Sequence, residues 1–167
     1  ASCGEGDVCE RFTQRNPSTV FHPDFLEDLS HARVLRFMDW MDTNRPAVPN
    51  PGEAVRPPIR RVEDWPTRTS PAYHPVPLEL LVLLANTLGA DAWITIPHAA
   101  DDELVDHIAR TLKRGLDAGR TLYVEYSNEV WNAQFAQHTY AAVEGCKRFA
   151  QDPSVCDEDA DGELCEP

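Results

Sequence analysis

The chain has 167 residues, enough for one domain that buries its own core, and carries 15 Lys and Arg against 28 Asp and Glu, a formal net charge of −13. That charge repels a phosphate backbone instead of releasing its counterions, so nucleic acid is not an expected partner. No run of about 18 apolar residues is present, so no membrane span is expected either.

The acidity is concentrated at one end. Asp152, Asp157, Glu158, Asp159, Asp161, Glu163 and Glu166 all follow Arg148 with no base among them, leaving 21 acids against 15 bases in the rest of the chain. The five cysteines also gather at the ends, as Cys3, Cys9, Cys146, Cys156 and Cys165. This reads as oxidised staples and not as a zinc set, which points to a secreted or extracytoplasmic protein. Cys3 with Cys9 is the natural first pair, and Cys156 has either Cys165 or Cys146 to choose from. The chain starts at Ala1 and looks processed or excised.

In chain order, residues 1–20 are polar and Gly-containing, an irregular arm. "HPDFLEDLSHA" is a short helix, with Pro23 in its first turn and Phe25, Leu26 and Leu29 at helical spacing. "RVLRFMDW", Arg33 to Trp40, is a bulky apolar strand. Between Pro46 and Pro77 lie nine of the 14 prolines, an ordered excursion or lid without regular structure. "PLELLVLLANTLG" is a buried helix closed by Gly89, and "DAWITIPH", Asp91 to His98, a second strand. "ADDELVDHIARTLKRG" is a helix with acids at its start, bases at its end and a stripe of Leu104, Ile108, Leu112 and Leu116. "TLYVEYSNEVWN", Thr121 to Asn132, is a third strand stopping at Glu129. The last helix carries Phe135, Thr139, Ala142, Val143, Cys146 and Phe149 on one side, with Asn132 as its cap. Residues 151–167 form an acidic, Cys-containing tail.

Strands alternating with helices at about 30 residues make β-α units, so the fold class is α/β with a parallel sheet of about three strands flanked by helices. Ligands of such sheets gather where the strands end, here at Asp39 to Asn44, Pro97 to Asp101 and Ser127 to Asn132. Strand alternation puts Glu125 and Glu129 on one face and Asn128 on the other. The two carboxyls, roughly 13 Å apart at about 3.3 Å per residue, are too distant to be a glycosidase pair, which needs about 5 to 9.5 Å. Glu125 reads instead as a buried supporting carboxylate that wants a cation, with Arg36 the best candidate. Asp39 and Asp42, two strands from Glu129 and so about 9 to 10 Å away, keep an inverting pair open on distance.

"YVEYSNEVWN" resembles the fourth-strand motif of the clan A glycoside hydrolases, (β/α)8 barrels in which an Asn-Glu pair ends the strand. The resemblance runs from about Phe21 to Phe149. It includes the Glu four residues upstream (Glu125), an Arg on the preceding strand but one (Arg36 in "VLRFMDW") and a His ending the strand between (His98 in "WITIPH"). It implies a partial barrel covering the second to fourth units, with Glu129 as general acid/base, Asn128 on the sugar 2-hydroxyl, and His98 and Arg36 holding the sugar. Trp131 and Trp40 become candidate stacking platforms. The implied reaction is retaining hydrolysis of a β-linked glycan. The family's nucleophile, a Glu ending the seventh strand, has no counterpart in this sequence, and a whole barrel takes about 250 residues. The expectation is therefore a piece or reduced descendant of a barrel, acting with the remainder of the barrel or with a second copy, or else a carbohydrate-binding remnant without catalysis.

No cofactor is expected. His22, His31, His74, His107 and His138 show no metal-ligand spacing. Asp157, Asp159, Asp161 and Gly162 reproduce half of a calcium loop, but the bidentate Glu at loop position 12 would fall past Pro167. The segment reads as a solvated acidic tail, with calcium the minor alternative.

Overall fold

A computed structural model of the chain describes residues 20–44, 57–71 and 74–150. The expected arm, part of the proline-rich excursion and the acidic tail with Asp157, Asp159 and Asp161 lie outside these residues, as do four of the five cysteines.

Three strands, β1 (Val34–Arg36), β2 (Asp91–Ile96) and β3 (Leu122–Tyr126), form a parallel sheet in sequence order. Four α-helices among the described residues alternate with them: α1 (Pro23–Leu29), α2 (Leu78–Leu88), α3 (Asp102–Gly115) and α4 (Ala136–Phe149). None is long and apolar enough to cross a membrane.

Local chemistry sets the boundaries. α2 stops at Gly89, whose left-handed φ of 63° lets its N–H reach the carbonyls of Ala85 and Asn86. α3 starts at Asp101, whose carboxylate accepts from the Leu104 N–H at 2.8 Å. Its charges then run with the helix dipole, Asp102 and Glu103 in the first turn and Lys113 and Arg114 in the last. The predicted stripe of α3 is realised in Leu104, Ile108 and Leu112, which are fully buried, while Leu116 caps the helix and is only partly covered.

The register sets Arg36 opposite Trp93 and Trp93 opposite Tyr123, with Thr95 opposite Glu125 two residues further along. Alternation then gives two unlike faces. Leu35, Ala92 and Ile94 join Leu78, Leu81, Leu104, Ile108 and Leu112 of α2 and α3 in one apolar core. The opposite face carries Val34, Arg36, Trp93, Tyr123 and Glu125 with no described helix over it, and Val34, Trp93 and Tyr123 are exposed. β3 is also thinly covered on the helix side, where Val124 is 62% exposed.

Several expectations need correction. β1 is three residues long instead of eight, because Asp42 turns into left-handed backbone (φ 53°) and the Met41 N–H returns to the Phe37 carbonyl at 2.9 Å. β3 ends at Tyr126, not Glu129. Within its described residues the excursion holds one short 3-10 turn, Val62–Asp64. There the Asp64 carboxylate accepts from the N–H groups of Arg60 and Arg61, which together hold it below the usual carboxylate range. The expected stripe of α4 is buried only in part: Val143 faces inward, together with Gln137, which lies off the stripe, and Phe149 is 80% exposed.

α2 and α3 meet closely at one point, where a Cβ added to Gly115 would lie 2.8 Å from Val82 Cγ1. Val82 is β-branched and stiff, so the helices must part to admit it. Gly115→Ala is expected to destabilise by about 1–2 kcal/mol, a fall in Tm of several degrees. In a Val82→Ala background the same change is expected to be neutral or better, as read from a double-mutant cycle of urea midpoints. Equal effects in both backgrounds would remove the contact as the cause.

Candidate functional site

The polar residues at the strand ends form one connected cluster around Arg36. Its Nη2 donates one hydrogen to Glu125 Oε2 at 2.8 Å and the other to Asn128 Oδ1 at 2.6 Å. Its guanidinium carbon lies 5.0 Å from the ring centre of Trp93, and the Trp93 indole N–H donates to the same Glu125 oxygen at 3.0 Å. The Arg36 and Glu125 side chains keep 36% and 29% of their surface exposed. The expected ion pair is therefore made, but on an open face and not in a buried interior.

Asn128 is 2% exposed and is held on three sides. Beyond the Arg36 contact, its amide donates to Asn44 Oδ1 at 2.9 Å, and its backbone carbonyl accepts from Gln137 Nε2 at 2.7 Å. This corrects the alternation argument, which put Asn128 on the face away from Glu125. Ser127 and Glu129, on either side of it, have left-handed φ angles of 52° and 43°. Such angles are uncommon outside Gly, Asn and Asp and cost on the order of 1 kcal/mol each. The Ser127 N–H still completes the sheet by donating to the Ile96 carbonyl at 2.8 Å. The two twists then turn Asn128 inward to Arg36 and leave Glu129 exposed.

Glu129 is steadied from one side, where Asn132 Nδ2 donates to its Oε2 at 3.2 Å. Asn132 was expected to cap the last helix, but α4 begins after Phe135 without a side-chain cap, and Asn132 Oδ1 accepts from the Gln134 N–H within the loop. α4 is tied to the loop by its own first turn: Gln137 reaches the Asn128 carbonyl, and His138 Nδ1 lies 2.8 Å from the Val130 carbonyl.

The other predicted residues separate into two groups. His98 stands beside the cluster, its ring 5.0 Å from that of Tyr140, and its carbonyl accepts from the Tyr126 hydroxyl at 3.1 Å. Trp131 is 72% exposed and presents a free face, as a platform requires. Trp40 is not displayed: it packs on Phe37 and Phe21, with ring centres 5.6 and 6.4 Å away, at the edge of the core. Asp42 is engaged by His74 Nε2 at 2.9 Å. No group of three metal-ligating side chains occurs among the described residues.

Trp93, Asn44 and Gln137 belong to the cluster and were not foreseen. Trp93 was recoverable, since its place in "DAWITI" fixes its side of the sheet once the strand ends are set level. Asn44 sits in a loop and left no periodic signal, and Gln137 was hidden by a helix read for its apolar positions. Together these residues define an α/β unit with a guanidinium-carboxylate-amide cluster at the ends of its parallel strands. Comparison with protein-family models, curated proteins and solved structures found no match to this chain.

Tyr126 is 53% exposed as a whole, but partial burial of its phenol raises that group above its ordinary value, and the neighbouring Tyr140 and Glu144 push it the same way. Because the folded state holds this proton more tightly, the linked stability is complete below the unfolded tyrosine value of about 10. It is lost as pH rises through the higher folded value. Tyr126→Phe is expected to show a smaller drop in Tm between pH 9 and 11 than the parent. An identical alkaline slope in the two proteins would show that this phenol carries none of it.

Proposed function

We propose that this chain is a carbohydrate-active unit of the clan A glycoside hydrolase type, a partial (β/α)8 barrel that supplies the acid/base half of a retaining site for β-linked glycans. The observation that carries the reading is the shared guanidinium: Arg36 on β1 bonds at once to Glu125 within β3 and to Asn128 at its end. All three are positions that the sequence resemblance matches, as it does Glu129 and His98.

In the proposed reaction Glu129, exposed at the strand end, protonates the leaving oxygen and then takes a proton from water. Asn128 bonds the sugar 2-hydroxyl with the amide hydrogen not given to Asn44. Arg36 holds the Asn128 oxygen, which fixes which side of that amide is the donor. His98 and Trp131 border the sugar. The second carboxylate comes from a strand other than β1, β2 and β3.

The barrel is supported by the sheet itself. Parallel sheets are covered on both faces, yet Val34, Trp93 and Tyr123 stand exposed on the side that a barrel would enclose. β3 is an edge strand, and Val124 and Tyr126 there are 62% and 53% exposed. Further β-α units beside β3 would cover these groups. Pairing of two copies through the same edge is the second reading the exposure favours, and sedimentation showing a strict monomer at high concentration would remove it.

Asn128→Ala is expected to weaken binding of a β-linked oligosaccharide about tenfold, while Glu129→Gln leaves affinity unchanged and lowers any turnover by about 10²–10⁴-fold. Calorimetric titration and reducing-sugar release measure the two. Binding without turnover in both the parent and Glu129→Gln would reduce the role to carbohydrate binding, and an Asn128→Ala protein with parental affinity would sink the site.

A further inference from the structure

Beside the residues of the proposed reaction, and sharing only His98 with them, lies a cleft of about 580 Å3 between α4 and the loops after β2 and before the 3-10 turn. Arg60, His98, Thr139, Tyr140, Val143 and Glu144 line it. The volume is that of a small-molecule site, roughly 300–1,000 Å3.

Both walls are fixed to the strand ends. On one side, Gln137 and His138 bind the carbonyls of Asn128 and Val130, the residues flanking Glu129, so the α4 wall keeps a set position relative to that carboxylate. On the other, the Arg60 carbonyl accepts from the Asp101 N–H at 2.8 Å, and Asp64 fastens the backbone of Arg60 and Arg61. His98 is itself fixed, its carbonyl accepting from the Tyr126 hydroxyl and its ring in tilted contact with that of Tyr140.

The lining is amphipathic in the manner of a sugar. Tyr140 and Val143 offer apolar surface to the C–H face of a pyranose. The Thr139 hydroxyl donates or accepts, the Arg60 guanidinium donates to hydroxyl oxygens and the Glu144 carboxylate accepts from hydroxyl hydrogens. Arg60 and Glu144 together bring no net charge to the lining, and Glu144 Oε1 also accepts from Lys147 Nζ at 3.3 Å. We propose that this cleft is a second saccharide site, binding a neutral hexose unit of the glycan that passes Glu129. The inference rests on the carbohydrate reading above and extends it to residues of α4 and of the loop before the 3-10 turn.

Calorimetric titration with two neutral β-linked probes, cellotetraose and laminaritetraose, tests it. At least one is expected to bind the parent protein, with Tyr140→Ala weakening it about tenfold, as truncation of an aromatic anchor does. Tyr140→Phe and Glu144→Gln are expected to weaken it two- to fivefold. A probe that loses affinity in Asn128→Ala but not in Tyr140→Ala or Glu144→Gln overturns the cleft and leaves the Asn128–Glu129 reading standing. Loss in the cleft variants with parental affinity in Asn128→Ala supports the cleft and removes the other site. If neither probe binds the parent, both readings fall. Should circular dichroism show Tyr140→Ala unfolded, Thr139→Val and Glu144→Gln carry the test, and parental affinity in both overturns the proposal.

Discussion

The guanidinium of Arg36 ties together all three strands of the sheet. It leaves β1, lies against Trp93 of β2, and divides the two hydrogens of one nitrogen between Glu125 of β3 and Asn128 just beyond it. A planar donor fork suits this position where a lysine ammonium does not, because two acceptors and an aromatic face must be met at fixed angles. Glu125 is in turn held by the Trp93 indole, so carboxylate, ring and guanidinium each limit where the others can go. Because the pair stays about one-third exposed, it adds little to stability; its effect is geometric, setting where the Asn128 amide points.

The left-handed backbone at Ser127 and Glu129 completes that geometry. A regular strand would alternate side chains from one face to the other, setting Asn128 opposite Glu125. Two positive φ angles in three residues break the alternation, and Asn128 swings to the Arg36 side while Glu129 remains in solvent. The conformational cost is offset by bonds on every side of the turn: Ser127 to Ile96, Asn128 to Arg36, Asn44 and Gln137, and Glu129 to Asn132. Strain that is pinned this thoroughly is what polar sites on rigid scaffolds display.

The regular parts of this architecture were legible from pattern. Gly89, Asp101 and the Leu104, Ile108, Leu112 stripe mark α2 and α3 as they mark helices generally, and the spacing of β2 and β3 reads directly as a parallel unit. The pairing of Arg36 with Glu125 followed from the need of a carboxylate for a cation, although the carboxylate expected to be buried keeps 29% of its surface exposed. The end of β3 was not legible, because positive φ leaves a trace in sequence when Gly takes it and none when Ser and Glu do. α4 was misread for a related reason: its inward residues are chosen by what the loop needs, Gln137 for the Asn128 carbonyl, and an apolar periodicity does not see an amide.

The uncovered face of the sheet has an electrostatic consequence. Two unit charges about 4 Å apart interact by about 1 kcal/mol in bulk water and about 4 kcal/mol at an effective dielectric constant of about 20. Arg36 and Glu125 now sit at the weak end of that range, with water at the open side of Trp93 and Tyr123. A layer laid over this face would move them toward the strong end without shifting an atom of either. Their coupling is thus a readout of cover: the same contacts form a loose surface pair in the bare sheet and a rigid brace once solvent is displaced.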